Sequence, residues 1–257
     1  MAVNLNESFL VKFVEKEFTE STLDGNLFFK RNGYFVDLEK EQLEKGIGDK
    51  REGNWTRYIN PETHRMVLTD MNDNVIPLNV TRGVLRQTFS NLKYMPICCF
   101  VVLNLERDFD IDLESGKAEL KKELQEELIN QFAGRDLIFF RNTNTEDFII
   151  DRVKAACERE GIEHMGAKVK YYDENTEDHP MTKAEYEAEP HKGLLYKRKF
   201  FEFQREYRFI LNKIEDEDYI LKLGDIRNIA VNLGEVKEGE DLFQLTIRQQ
   251  EKDSLET

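Results

Sequence analysis

The run KFFEFQREYRFIL, residues 199–211, carries Glu202, Gln204 and Glu206 on alternate positions. Its Phe, Tyr and Ile content predicts a strand, and side chains at i, i+2 and i+4 of a strand share one face. Three such groups converging in a pocket repel one another and shift their pKa values upward. A carboxylate fixed there can stabilise developing positive charge or take up a proton. Facing water, the same residues form a solvated edge with Arg205 and Arg208 as local ion partners. Spacing alone does not choose between these readings.

Other candidates are scattered along the chain. GIGDKREG, residues 46–53, places Asp49 and Glu52 between glycines, a loop that needs unusual dihedral angles. It lacks the Gly-Lys-Ser/Thr ending of a phosphate-binding loop and the regular oxygen spacing of an EF-hand, and a turn with solvated charges also explains it. Lys12 sits inside the apolar FLVKF, where a lysine snorkels or faces a cleft. Arg31, Tyr34 and Phe35 in FFKRNGYF offer a cation and two rings, which suit a phosphate and a flat heterocycle, or else ordinary core packing beside a surface arginine. Cys98 and Cys99 read as core residues, with nothing nearby in sequence to lower a thiol pKa.

The elements that must position these residues alternate in type. FLVKF and NLFFKR are expected as strands, with a glycine-stopped helix between them. NGYFVDLEKEQLEKG predicts a turn and a short helix, and residues 55–90 predict small strands or hairpins. MPICCFVVLNL is a buried strand by length and β-branched content. Leucines recurring every four residues predict a helix from Gly116 to Gly134. DLIFF predicts a strand. TEDFIIDRVKAACEREG, opening on Thr145-Glu146-Asp147, predicts a capped helix that ends at Gly161. AKVKYYD predicts a strand. The acidic, proline-interrupted stretch from Asp173 to Gly193 predicts a lid-like loop, and two short strands follow the 199–211 run. The fold expected is α+β: a single domain, residues 1–250, of two small, mostly antiparallel sheets with a cleft and flanking helices. Residues 251–257 are expected as a frayed tail.

Composition narrows the function. The 257-residue chain has a formal net charge of -14, which disfavours binding to nucleic-acid backbones and suits a basic protein partner. Eighteen Phe and nine Tyr supply enough apolar area for a large core. Three cysteines, two of them adjacent, do not make a disulfide framework, and the four histidines lack zinc spacing, so no metal is expected. No basic leader with an apolar stretch and no membrane-length apolar window occurs, so no membrane association and a cytoplasmic location are expected.

FLVKF, LFFKRNGYFVDLE, GIGDKREG, PICCFVV, VKYYD and KRKFFEFQREYRFIL occur in an order that resembles a large uncharacterised family of bacteria and phages, over about residues 9–233. A tryptophan-containing segment found beside the cysteine strand in many members is absent. The layout of that family looks like the ADP-ribosyltransferase fold. By that resemblance Gln204 and Glu206 form a Gln-x-Glu motif with Glu206 as the catalytic carboxylate. Lys12 stands where a first-strand His or Arg would hold the adenosine side. Arg31, Tyr34 and Phe35 complete the cofactor-binding set. The activity implied is cleavage of NAD, the substrate cofactor, or transfer of its ADP-ribose to a protein or nucleotide acceptor, in a bacterial or phage conflict system. The alternatives are an acidic, non-enzymatic protein that binds and inhibits a basic partner, and a Mg²⁺-dependent nuclease that uses Asp49, Glu52 or the 202–206 acids.

Overall fold

The computed structural model describes residues 8–41, 49, 51–60, 62–78, 83–141 and 148–247. Gly46, Gly48, Lys50, the Thr145–Asp147 capping motif and the 251–257 tail lie outside them. The α+β class is the one observed. Pairing is mostly antiparallel; one pair, Lys170–Tyr172 beside Tyr196–Arg198, is parallel. Four two- or three-stranded sheets accompany the main strands, more than the two sheets expected. The backbone divides into two compact units, Met1–Asn26, Phe100–Val153 and Lys222–Thr257 forming one, Leu27–Cys99 and Lys154–Leu221 the other.

In the first unit the apolar runs pair as their β-branched and aromatic content demands. Ser8–Val14 lies antiparallel to the end of Pro96–Asn104, with Val11 opposite Val101, and to Asp136–Phe140, with Lys12 opposite Ile138. Asp136–Phe140 in turn borders Ala230–Glu235. One face of these strands is covered by the helix Lys122–Phe132, which buries Leu124, Leu128 and Ile129 against Val11, Phe13 and Leu103. Phe13 and Phe132 stack face to face with centroids 4.0 Å apart. Each fully buried Leu or Phe contributes about 1.5–3 kcal/mol.

The helix expected from Gly116 is shorter. Lys117–Leu120 is a strand paired with Phe109–Asp112 and Gln244–Thr246, and the helix starts only at Lys122. Ala118 and Leu120 alternate inward with the strand period, so pairing with two neighbours outweighs local helix propensity. The Gln244–Thr246 strand was not expected, although Phe243, Leu245 and Ile247 alternate with polar residues at the strand period.

The second unit holds the strand Glu206–Leu211, antiparallel to His164–Lys168, and the start of Pro96–Asn104 beside Asn26–Arg31. Trp55–Ile59 pairs with Gly83–Gln87, and Met66–Thr69 with Val75–Leu78. The helix Asn32–Glu41 follows the second strand as expected. Its core gathers Trp55, Leu92, Met95, Ile97, Tyr186, Leu194 and Ile210, with the Trp55 indole donating to the Met181 carbonyl at 2.9 Å.

Two expectations for this unit are corrected. The Asp173–Gly193 stretch is not a featureless loop. Thr182 and Glu185 form a complete capping box that starts the helix Lys183–Ala188, and Pro190 opens a 3-10 turn to Leu195. The run 199–211 is not one strand either. Lys199–Gln204 is a 3-10 helix, Arg205 is left-handed at φ 49°, and only Glu206–Leu211 is extended. Phe201 and Gln204, three apart, are both buried, which is the period of a 3-10 helix rather than a strand.

Candidate functional site

The residues that come together are drawn from two distant segments of the second unit. The first is the turn at Asp49. Its carboxylate accepts from the Arg51 amide at 2.9 Å, and its carbonyl accepts from the Glu52 amide at 2.9 Å, which turns Glu52 inward. The Asp49 amide donates to the Phe35 carbonyl at 3.1 Å. Gly53 closes the turn at φ 73°, and a Cβ there would lie 2.9 Å from Leu194 Cδ2. The glycine expectation for this loop therefore holds at Gly53, by conformation and by space.

The second segment runs from Leu194 to Arg208. Lys197, on the short strand Tyr196–Arg198, donates to Gln204 Oε1 at 2.6 Å and Glu206 Oε1 at 2.8 Å, and its ammonium lies 3.7 Å from Glu52 Oε2. Arg208 donates through Nε to Glu206 Oε2 at 2.6 Å and through Nη1 to Glu52 Oε1 and to the Leu194 carbonyl. Arg198 donates to Asp49 Oδ1 from Nη2 at 2.6 Å and Nε at 3.0 Å. Lys197 and Arg198 both lie near the buried Phe201 ring, 4.7 and 5.0 Å from its centroid. The Glu206 amide donates to the Tyr171 hydroxyl at 3.0 Å. The side chains of Glu52, Lys197, Glu206 and Arg208 are at most 9% exposed.

Three carboxylates thus meet three cations, and their surroundings push two of the acids in opposite directions. Burial raises the Glu52 carboxyl above the ordinary range, although Arg208 and Lys197 pull it back. Burial acts the same way on Glu206, but there the Arg208 and Lys197 charges, with their hydrogen bonds, win, and the carboxyl is held far below the ordinary range. Burial disfavours charge on Lys197 and Arg208, and the facing carboxylates more than compensate, so both stay charged. Glu52 Oε2 is buried without a hydrogen-bond partner. A carboxylate held ionised beside one with a raised pKa is the pairing that assigns a fixed anion and a proton-transfer group.

Of the residues singled out from sequence, Gln204 and Glu206 are brought together, through Lys197 and the left-handed Arg205 between them. Glu202 points out to solvent. Lys12 belongs to the first unit, where its ammonium lies 4.9 Å over the Phe100 ring. Phe35 touches the cluster through its backbone, while its ring packs on the core of Trp55 and Leu92. Tyr34 is exposed, with Lys30 4.6 Å over its ring. The Arg31 amide donates to Asp218 at 3.2 Å, and its Nε is buried without a partner. Nothing local in the sequence singles out Lys197 or Tyr171. Arg208 was legible as a partner of the Glu206 face, but as an edge residue rather than a buried one. Among the described residues no group of three or more His, Cys, Asp or Glu is arranged to hold a metal ion, and no helix is long and apolar enough to cross a membrane. Comparison with protein-family models, curated proteins and solved structures gives no match.

Proposed function

We propose that the Glu52–Lys197–Glu206–Arg208 cluster is the catalytic centre of an ADP-ribosyltransferase-like protein that breaks the nicotinamide–ribose bond of NAD. The observation that carries this reading is the split between two carboxylates that share Lys197 and Arg208. Glu206 remains an anion and offsets the positive charge that builds on the ribose carbon as the C–N bond breaks. The bonding pair leaves with nicotinamide, which departs neutral, so no acid is needed for that step. Glu52, with its raised pKa and an oxygen that accepts no hydrogen bond, takes the proton from the attacking hydroxyl of water or of an acceptor. Gln204 is held by Lys197 as a second polar contact for the ribose. The Gln-x-Glu resemblance supplies the substrate class.

The test is release of free nicotinamide from NAD by the purified full chain, followed by mass spectrometry, with Glu52→Gln alongside. Release that falls by about a hundredfold or more in a folded Glu52→Gln variant supports the assignment. No release from the parent protein, with or without cell lysate to supply an acceptor, overturns it. The balanced, nearly closed cluster is then a structural ion network in an acidic binding protein.

A further inference from the structure

The imidazole of His179 is 5% exposed. Three tyrosine rings pack on it, with centroids at 4.8 Å for Tyr196, 5.1 Å for Tyr172 and 6.2 Å for Tyr186. Its Nδ1 accepts from the Met181 amide at 3.0 Å, so in the neutral ring the proton sits on Nε2. Nε2 is buried with no hydrogen-bond partner among the described residues.

The segment that carries this ring is tied down at close intervals. The His179 amide donates to the Thr56 carbonyl at 3.0 Å, and the Trp55 indole to the Met181 carbonyl at 2.9 Å. The Tyr172 and Thr56 hydroxyls are hydrogen-bonded at 2.9 Å, and the Tyr186 hydroxyl donates to the Gly53 carbonyl at 2.7 Å. The Asp178 carboxylate accepts from the Tyr58 amide at 2.8 Å. Residues 172–186 thus form a strap bound to residues 53–58, which begin immediately after Glu52.

A second proton has no good place on this ring. It must enter at Nδ1, where the Met181 amide already points its hydrogen, so two donors would face each other. The charge it brings would be buried. The titratable groups that face the ring are the three tyrosines, one each from the strands Lys170–Tyr172 and Tyr196–Arg198 and the helix Lys183–Ala188. Phenols are uncharged in neutral and acid solution, and Trp55 and Thr56 from the strand Trp55–Ile59 carry no charge. Within the strap, Asp178 is engaged by Tyr58 and Glu174 by Arg51 and Arg86. Burial accordingly pushes the imidazole from its ordinary 6.5 down to about 4.

We propose that His179 is an acid-sensitive latch, which while neutral holds the 172–186 strap on residues 53–58 and on protonation releases it locally. The released ring takes up a proton near its ordinary value, and the latched ring only in stronger acid. The latch is therefore at full strength above about pH 6.5 and weakens as pH falls toward 4. Between pH 7 and pH 4 the opening equilibrium rises by about a hundredfold. Gly53 closes the turn that aims Glu52 inward, so release loosens that turn, but the latch stands whatever reaction the cluster performs.

Amide hydrogen exchange of the full chain reads the opening even where the open form is rare. Protection of the Met181 and His179 amides, corrected for intrinsic exchange, should fall about a hundredfold between pH 7 and pH 4. The strand Ser8–Val14 of the first unit should keep its protection. Trp55, the only tryptophan, gives a second reading, because release of its indole exposes it to water and shifts its emission to the red. His179→Asn offers Met181 an oxygen in place of Nδ1 and does not titrate, so its Met181 protection should stay level over the same range. Asn leaves space among the rings. His179→Phe fills that space, does not titrate either, and should give an equally level profile. Met181 protection that is unchanged in acid, or that rises because the tyrosine rings hold the cation, overturns the proposal. So does protection that falls only together with Ser8–Val14, or that falls equally in both variants.

Discussion

Two arginines in this protein each hold more than one carboxylate, and they differ in almost everything else. Arg227, in the first unit, reaches Glu20 and Asp24 at 2.7 Å and Asp225 at 3.2 Å, with its own side chain 41% exposed. Arg208, in the second, reaches Glu206 and Glu52 with its side chain 2% exposed. Water screens the first group, so its geometry says little about energy. In the second group every charge has lost its hydration and depends on its partners, so removing one leaves another stranded. Close contacts alone do not separate the two; burial does. The buried group pushes its two acids in opposite directions, Glu52 up and Glu206 down, which makes it the candidate centre.

The largest effect is expected from Glu206→Gln, which removes the carboxylate hydrogen-bonded to both Arg208 and Lys197 and leaves only Glu52 facing them. A loss of about 3–5 kcal/mol in urea unfolding follows from breaking a buried ion pair on one side. Its pH dependence has a definite sign. The Glu206 carboxyl titrates lower in the folded chain than the ordinary value of about 4.3. Its stabilisation is complete above that value and is lost as pH falls toward the folded pKa. The gap between wild type and Glu206→Gln should therefore narrow as the solution is made more acidic than about pH 4. A gap that stays constant would mean that Glu206 is not held ionised by its neighbours. Because this variant also destabilises the fold, lost activity in it is informative only where folding is verified.

Glu52→Gln is expected to cost less, about 1–3 kcal/mol, because Glu206 still faces both cations. Its pH dependence runs the other way. A carboxyl whose folded pKa is raised stabilises the fold below its ordinary value, and that contribution is lost as pH rises through the folded pKa. The difference between wild type and Glu52→Gln should shrink as pH rises above about 4.3. Opposite slopes for the two variants would establish the split between the acids, and parallel slopes would remove it.

Gly53→Ala comes next, at about 1–2 kcal/mol from the left-handed backbone alone. The added methyl also presses on Leu194, whose carbonyl accepts from Arg208, so the substitution disturbs the cluster without touching a charge. Thermal unfolding of this variant beside Gly134→Ala separates the two contributions. Gly134 has a similar φ of 87° but nothing within 4 Å of an added Cβ. Equal losses at the two sites would show that the Leu194 contact is without consequence.

These contrasts follow the line between what the sequence displayed and what it concealed. FLVKF, PICCFVV and DLIFF announced themselves as strands because burial on both faces demands continuous apolar runs. Gly53 was legible for a similar local reason. The 199–204 segment misled because its Phe residues also alternate, and a short run does not distinguish period two from period three. Thr182 and Glu185 carried a legible capping signal that the surrounding acidic residues and prolines masked. The cluster itself was hidden by distance along the chain. Glu52 and Arg208 are 156 positions apart, and Asp49 and Arg198 are 149 apart. In YKRK, Lys197 reads as one of several surface cations, since nothing local distinguishes the lysine that turns inward.

The smallest effect is expected where contacts are most numerous. Arg227→Ala removes ion pairs to three carboxylates, yet all of them lie at the surface, and the urea midpoint should barely move. The midpoint change should also vanish in concentrated salt, because exposed charges are screened within a few ångströms there. The Glu206→Gln loss, by contrast, should persist at the same salt, since buried pairs are screened far less than exposed ones. Measuring both variants in low and high salt tests the comparison at its root. If Arg227→Ala proves as damaging as Glu206→Gln, or if salt weakens both alike, burial is not what separates these two arginines, and the case for a catalytic centre at Arg208 loses its physical footing.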